Sequence, residues 1–449
     1  LFHRKTGVLV KDSKIENTFE NLFILNNAIT SINLIFYLKR FWFLNKIYIN
    51  FTLHFYKPMF DQLHTQVIKS IYFSGAQSIA EISHTIGKSV PIVAKTIQHL
   101  VDKNIVLSHG LRASTGGRRA SSYILNKSSI GNILTVSINR YSITLGLLNI
   151  LNESLMEELD ININDFDDIN IYNTIVTHIR KIAEKYNDHP ILRIGITTPG
   201  FVDSQEGVNN SFPKESPLHD LPNRIKKDVG IDTFMENDSS AIAIAEKHFG
   251  KAKITNHSLV INLTWGVGLG IIVDQQLFRG YNGFAGEFSH IPLADENKLC
   301  SCGKKGCLEV EASLESAVEY IKECLNNGEV SLLAPNIENK DKSQFLNSLI
   351  QAYKLGDQLS IHAIKKMGFM LGKGIATLIH ILNPQKVIIS GIGASFGAIL
   401  LPEIQSSIHI YCIPRLSQKT TIEISDLENI QTIAAACVAV MQSNELIKN

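Results

Sequence analysis

Three of the chain's six cysteines fall within one eight-residue loop, Cys300-Ser301-Cys302-Gly303-Lys304-Lys305-Gly306-Cys307, and His290 stands shortly before it. Three thiolates and one imidazole make a complete tetrahedral donor set for zinc. No position is left for water, so the metal expected at His290, Cys300, Cys302 and Cys307 is structural Zn2+ rather than catalytic. Gly303 and Gly306 let the backbone turn back so that the thiolates converge. A chance cluster of reduced cysteines is the bland alternative, and the spacing with two internal glycines and an upstream histidine argues against it. A second group is Asn237-Asp238, where a strand-like run gives way to a helical one. An Asp beside an Asn can hold vicinal hydroxyls by accepting and donating hydrogen bonds. Equally, either residue can simply cap a helix. The spacing alone leaves these two readings level.

The run Gly286-Glu287-Phe288-Ser289-His290, the cysteine loop and Glu309 after it together resemble the signature of the ROK family. That family contains bacterial sugar kinases and sugar-responsive transcriptional repressors, and the resemblance covers most of the chain from Met59 onward. It implies that Glu287, His290 and Glu309 touch a sugar, His290 also binding zinc. Ser289 stands where the family has Gly, a small-for-small change. Pro199-Gly200 resembles the family's loop beside the sugar. In ROK kinases the Asp of the Asn-Asp pair is the base that deprotonates the attacking hydroxyl, a role that would fall to Asp238. The implied ligand set is Gly200, Asn237, Asp238, Glu287, His290 and Glu309.

The nucleotide half departs from that pattern. ROK kinases open their catalytic lobe with Asp-x-Gly-Gly-Thr, whose glycines and acid cradle phosphates and magnesium. Here the matching stretch is Ser137-Ile138-Asn139-Arg140-Tyr141. A second family loop, Gly-Thr-Gly, reads Thr264-Trp265-Gly266, and Trp265 is expected to crowd the phosphate position. Gly391 and Gly393 survive, a weak signal by themselves. No catalytic residue is assigned, and a sugar pocket without a phosphate cradle indicates a sensor rather than an enzyme.

The elements that must position these groups can be read from periodicity. A net charge of +1 over 449 residues excludes a uniformly basic nucleic-acid binder, so any DNA surface must be local. Between Met59 and Lys127 there are 8 Lys plus Arg against 3 acids. Apolar spacing there predicts helices over 60–74, 79–85 and 89–103, followed by strands at 105–108 and 122–125 around a basic, glycine-rich loop. This is a winged helix-turn-helix. Ser89, Lys95 and Thr96 on its third helix, with Arg118 and Arg119 in the wing, are the expected DNA contacts. The wing also resembles that of the repressor branch of the ROK family. From Ile133 on, strands alternate with helices, indicating two α/β lobes around a cleft. The resemblance makes that an actin-like, sugar-kinase-type fold.

Residues 1–58 lack Met and carry Lys39, Arg40 and Lys46 inside their apolar part, so they read as neither a membrane span nor a signal peptide. They are read as sequence upstream of a start at Met59, with a genuine extension as the alternative. The domain reading is therefore 1–58 extension, 59–127 winged helix-turn-helix, and 128–449 sugar-binding domain. Cys324, Cys412 and Cys437 sit singly in apolar runs, and thiols without a paired framework suit a reducing cytoplasm. The function these readings favour is a cytoplasmic, sugar- or sugar-phosphate-responsive repressor that binds an operator as a homodimer or homotetramer, with no membrane partner. A ROK hexose or amino-sugar kinase with a fused DNA-binding domain is the rival. A zinc-stabilised interaction protein is a third class, and it leaves the acids of the cleft unexplained.

Overall fold

A computed structural model describes residues 62–111, 121–163, 168–336 and 342–446. The expectations for residues 1–58 and for Arg118 and Arg119 fall outside them. The chain divides into two compact units, Leu1–His64 and Thr65–Asn449, and the candidate site lies in the second.

Helix α1 (62–74) leads through a short strand, β1 (Gln77–Ser78), to α2 (Ile79–Ile86) and α3 (Val90–Asp102). Ser78 starts α2 with a capping box, its hydroxyl accepting from the amide of Glu81 while the Glu81 carboxylate accepts from the amide of Ser78. Gly87 ends α2 in the left-handed conformation, which sets the turn before α3. Strands β2 (Val106–Leu111) and β3 (Ser121–Leu125) complete a three-stranded sheet with β1. Val67, Ile71, Ile82, Val93, Ile97 and Leu100 fill the space between the helices. The same apolar cluster continues across residue 127 into Ile133, Leu148, Ala436, Ala439 and Val440. The helix-turn-helix is thus packed directly on the larger α/β domain.

That domain repeats one topology. The first lobe holds β4 (Asn132–Ile138), β5 (Ser142–Leu148), β6 (Leu159–Asn162), α4 (Asp168–Lys185), β7 (Ile191–Thr198), a small hairpin of β8 (Val202–Asp203) and β9 (Val208–Asn209), α5 (Leu221–Val229), β10 (Thr233–Asn237) and α6 (Asp238–Phe249). The second holds β11 (Ser258–Leu263), β12 (Val267–Val273), β13 (Gln276–Leu277), α7 (Glu309–Ala312), α8 (Leu314–Asn326), α9 (Lys342–Lys354), α10 (Gln358–Leu382), β14 (Lys386–Ser390), α11 (Gly397–Tyr411), α12 (Pro414–Ser417), β15 (Thr421–Ile424) and α13 (Ile430–Gln442). The sheets run β6-β5-β4-β7-β10 and β13-β12-β11-β14-β15. In each, an antiparallel meander is followed by two parallel strands, which is the actin-like duplication.

Helices α6 and α13 lie between the two sheets. Ala241, Ala243 and Ala245 of α6 and Ala434 and Cys437 of α13 share one buried cluster with Val260 of β11 and Ile388 of β14. Small side chains let these helices approach closely, and glycines in the strands do the same from the other side. A Cβ on Gly270 of β12 would lie 2.2 Å from the Ala243 methyl, and one on Gly195 of β7 would lie 1.8 Å from the Ala435 carbonyl oxygen. Cys324, Cys412 and Cys437 are free and buried, as their apolar surroundings suggested.

Candidate functional site

The cysteine loop folds back on itself as its glycines require. Gly303 and Gly306 both have positive φ, at 85° and 73°. The Cys300 amide donates to Lys304 O at 2.7 Å, and the Gly306 amide to Lys298 O at 2.9 Å. His290, Cys300, Cys302 and Cys307 consequently place their donor atoms within 4.8 Å of one another. Cys302 Sγ lies 3.6 Å from Cys307 Sγ, and Cys300 Sγ lies 3.6 Å from His290 Nδ1. Tetrahedral zinc with Zn–S bonds of about 2.3 Å sets sulfur atoms about 3.7 Å apart, so the donor set and its spacing fit that metal. Burial, together with hydrogen bonds that the Cys307 thiol donates to Cys302 and Cys300, pushes Cys307 up to about 12, while backbone donation from Lys304 lowers Cys302.

The imidazole of His290 has two faces. Nδ1 turns to the cysteines, and Nε2 lies 3.8 Å from a Glu287 carboxylate oxygen. Cys300 also donates to Glu309 Oε2, at 3.6 Å. The cysteine loop therefore abuts the acids of the cleft directly.

Those acids line a cavity of about 400 Å³, to which Gly200, Asn237, Asp238, Glu287, His290 and Glu309 all contribute. Gly200, Asn237 and Asp238 come from the first lobe; Glu287, His290 and Glu309 come from the second. Both level readings of Asn237-Asp238 bear on the geometry. Asn237 is the N-cap of α6: its Oδ1 accepts from the amides of Ser239 (3.0 Å) and Ser240 (3.1 Å). Its Nδ2 donates to Gly200 O at 3.2 Å, which ties the Pro199-Gly200 loop to the helix start. Asp238 accepts from Ser239 N at 2.7 Å and from Asn262 Nδ2 at 3.1 Å. Burial raises its pKa, against those hydrogen bonds. Burial likewise raises Glu287; His290 opposes this, and Asp238 and Glu309 add to it.

Sequence reasoning passed over Asn262, although a polar residue inside the apolar run 259–263 is a usable signal. It also passed over Glu236, which is buried under Asn237 and ion-paired with Arg279 at 2.6 Å. Gly268 lies inside β12, and a Cβ there would fall 1.9 Å from Ser239 Oγ. A Cβ on Gly266 would lie 2.6 Å from Glu309 Oε1, so that glycine makes room for the acid.

Beside the cavity, the residues expected at the phosphate position pack on one another. Trp265 is buried edge-on against Tyr141, with ring centroids 5.1 Å apart. Tyr141 Oη donates to Glu315 at 2.6 Å, and Arg140 pairs with the same carboxylate at 2.9 Å. The Lys342 ammonium sits 5.2 Å from the Tyr141 ring centroid and 5.8 Å from that of Trp265.

One expected DNA contact is corrected. Thr96 is 1 % exposed and donates from Oγ1 to Ile92 O at 3.0 Å, so it belongs to the core face of α3. It falls one helical turn from Leu100 and one from Val93, which draws it inward. Ser89 and Lys95 are exposed, at the start and on the outer face of α3.

Fold and site together define a duplicated α/β domain with an acid-lined cavity between its lobes, carrying a helix-turn-helix. A model of the ROK family matches residues 162–441, and the chain belongs to that family. It is similar to a xylose repressor of Caldicellulosiruptor bescii, 29 % identical over 387 residues that span 85 % of this chain and 95 % of the relative. It is also similar to the DNA-binding transcriptional repressor Mlc of Escherichia coli, 25 % identical over 77 % of this chain and 84 % of that protein. Among solved structures, a ROK family transcriptional regulator described as a homologue of the E. coli MLC protein aligns with a TM-score of 0.69. It is 27 % identical and covers 86 % of this chain and 96 % of its own.

Proposed function

We propose that the chain is a cytoplasmic transcriptional repressor that binds an operator through α2, α3 and the wing and releases it when a sugar or sugar phosphate enters the inter-lobe cavity. The observation that carries this is the convergence of Asn237, Asp238, Glu287, His290 and Glu309 on one cavity. Asp238 and Asn237 belong to the first lobe, while Glu287, His290 and Glu309 belong to the second. A polyhydroxylated ligand held by both groups favours the arrangement in which they lie closer together. Helix α13 is the element through which that change reaches DNA. It packs on α6, on the first sheet and, through Ala436, Ala439 and Val440, on the core of the helix-turn-helix. In a homodimer or homotetramer the spacing of two recognition helices then changes relative to the half-sites.

His290, Cys300, Cys302 and Cys307 would hold zinc, which supplies a rigid cross-link when bound. The chain's own contribution is orientation: the loop presents His290 Nε2 and Glu309 to the cavity from one anchored base. Arg118 and Arg119 are assigned to the DNA backbone or minor groove. Their joint replacement by Ala should weaken binding to operator and random duplex alike, with a salt slope shallower by about one to two.

The kinase reading is disfavoured by the Tyr141–Trp265–Glu315–Lys342 cluster beside Asp238. The test pairs two measurements on purified protein. Thermal shift against a panel of sugars and sugar phosphates should find a stabilising ligand for the wild type and none for Asp238→Ala. With the same panel, ATP and magnesium, phosphorylation should be absent. Turnover at an ordinary kinase rate of about 1–100 per second would overturn the sensor reading.

A further inference from the structure

The start of α3 carries an apolar pair that the fold does not use. Val90 and Ile92 are each 50 % exposed, on either side of Pro91 in the first turn of the helix. The buried face of α3 is made by Val93, Thr96, Ile97 and Leu100, so the core is complete without them. Ile92 lies one turn before Lys95, and Lys88 stands in the turn that introduces the helix; both lysines are exposed. A β-branched aliphatic pair framed by cations matches one surface in particular. In the major groove of DNA the thymine C5-methyl is the apolar feature, and it lies between two rows of phosphates. A protein partner would need no such cationic frame.

We propose that Val90 and Ile92 read thymine methyl groups in the operator, with Lys88 and Lys95 set against the flanking phosphates. The proposal rests on the DNA-binding reading and goes beyond it by naming which residues distinguish thymine. Phosphate contacts position the helix on any duplex, whereas the aliphatic pair contributes only where a methyl is present. Replacing thymine by uracil removes that methyl and leaves every hydrogen-bonding group in place.

The full chain is used to enrich binding sites from a randomised duplex library, and the enriched site is then scanned with uracil in place of each thymine. At one or two positions in each half-site, uracil should lower wild-type affinity about fourfold, the effect of exposing roughly one methyl. Ile92→Ala should lose about tenfold on the enriched site and little on random duplex, and should become insensitive to uracil at the position that Ile92 reads. Both residues are exposed, so the variants fold, and sedimentation should show an oligomeric state equal to that of the wild type. A library that enriches no sequence would overturn the DNA-binding reading and the proposal with it. Enrichment with a uracil scan that is flat, or with identical sensitivity in the wild type and in Val90→Ala and Ile92→Ala, would overturn the proposal alone. Dissociation of the oligomer in Ile92→Ala would reassign the pair to a contact between copies of the chain.

Discussion

At the scale of single residues, burial holds one acid of the cleft, Asp238, above its ordinary range. The folded pKa of Asp238 is raised, so the folded chain binds its proton more tightly than the unfolded chain does. The stabilising contribution of that proton is complete below the ordinary carboxylate range and is lost as pH rises through the raised folded value. At neutral pH the ionised group therefore costs stability in the ligand-free protein. Asp238→Asn should raise the ligand-free melting temperature at pH 7, with the advantage shrinking toward pH 4, and should abolish the shift produced by sugar. Asn262 Oδ1 is buried without a partner among the described residues, so a turn of its amide gives the new side chain a hydrogen bond. Lower stability at pH 7 would contradict the assignment of burial as the dominant cause. The thiols make a second case. Wild-type protein should contain about one zinc per chain, and Cys302→Ser should lose the metal and weaken the sugar response. Stoichiometric metal in a Cys302→Ser, Cys307→Ser double variant would refute the site.

At the scale of elements, close approach of helix to sheet explains the strand glycines Gly146, Gly195, Gly268 and Gly270. Gly270 of β12 faces Ala243 of α6 at a distance that admits no methyl. Gly270→Ala should destabilise the protein by about 1–3 kcal/mol through overpacking, and adding Ala243→Gly should recover part of that loss. Chemical denaturation of the single and double variants measures both. Legibility in the sequence varied with the same packing. The strand Lys386–Ser390 is read from its apolar run and matches β14, and the His290–Cys307 cluster is readable because its ligands are local in sequence. Helix α13 gives no comparable signal: its centre, Ala434 to Val440, is apolar and buried on every side, because it is covered by both lobes and lacks a solvent face to impose a period. The span 343–382 reads as one helical stretch but breaks at Leu355-Gly356-Asp357, where Asp357 caps α10 by accepting from Ser360 N. Glycine by type suggests a turn, but Gly268 and Gly270 sit in a strand that a helix presses upon. Thr96 reads as lying off the Val93, Ile97 and Leu100 face; in the helix the Ile92 carbonyl satisfies its hydroxyl and lets it face the core.

At the scale of the whole molecule, one helix joins three structures. Helix α13 touches the first sheet, α6 and the helix-turn-helix core, so the cavity and the DNA-binding helices share a mechanical element rather than a flexible linker. Larger side chains at Ala436 or Ala439 should therefore alter DNA affinity and sugar response together, by about 1–3 kcal/mol of overpacking. Fluorescence anisotropy on an enriched operator, with and without a sugar identified by thermal shift, separates the two effects. The same titration, run on wild type and on Asp238→Ala, tests the coupling of cavity to DNA most directly. Sugar should weaken wild-type operator binding at least tenfold, while Asp238→Ala binds the operator as tightly as wild type and ignores the sugar. Equal operator affinity with and without bound sugar in the wild type, or an undiminished sugar response in Asp238→Ala, would contradict it.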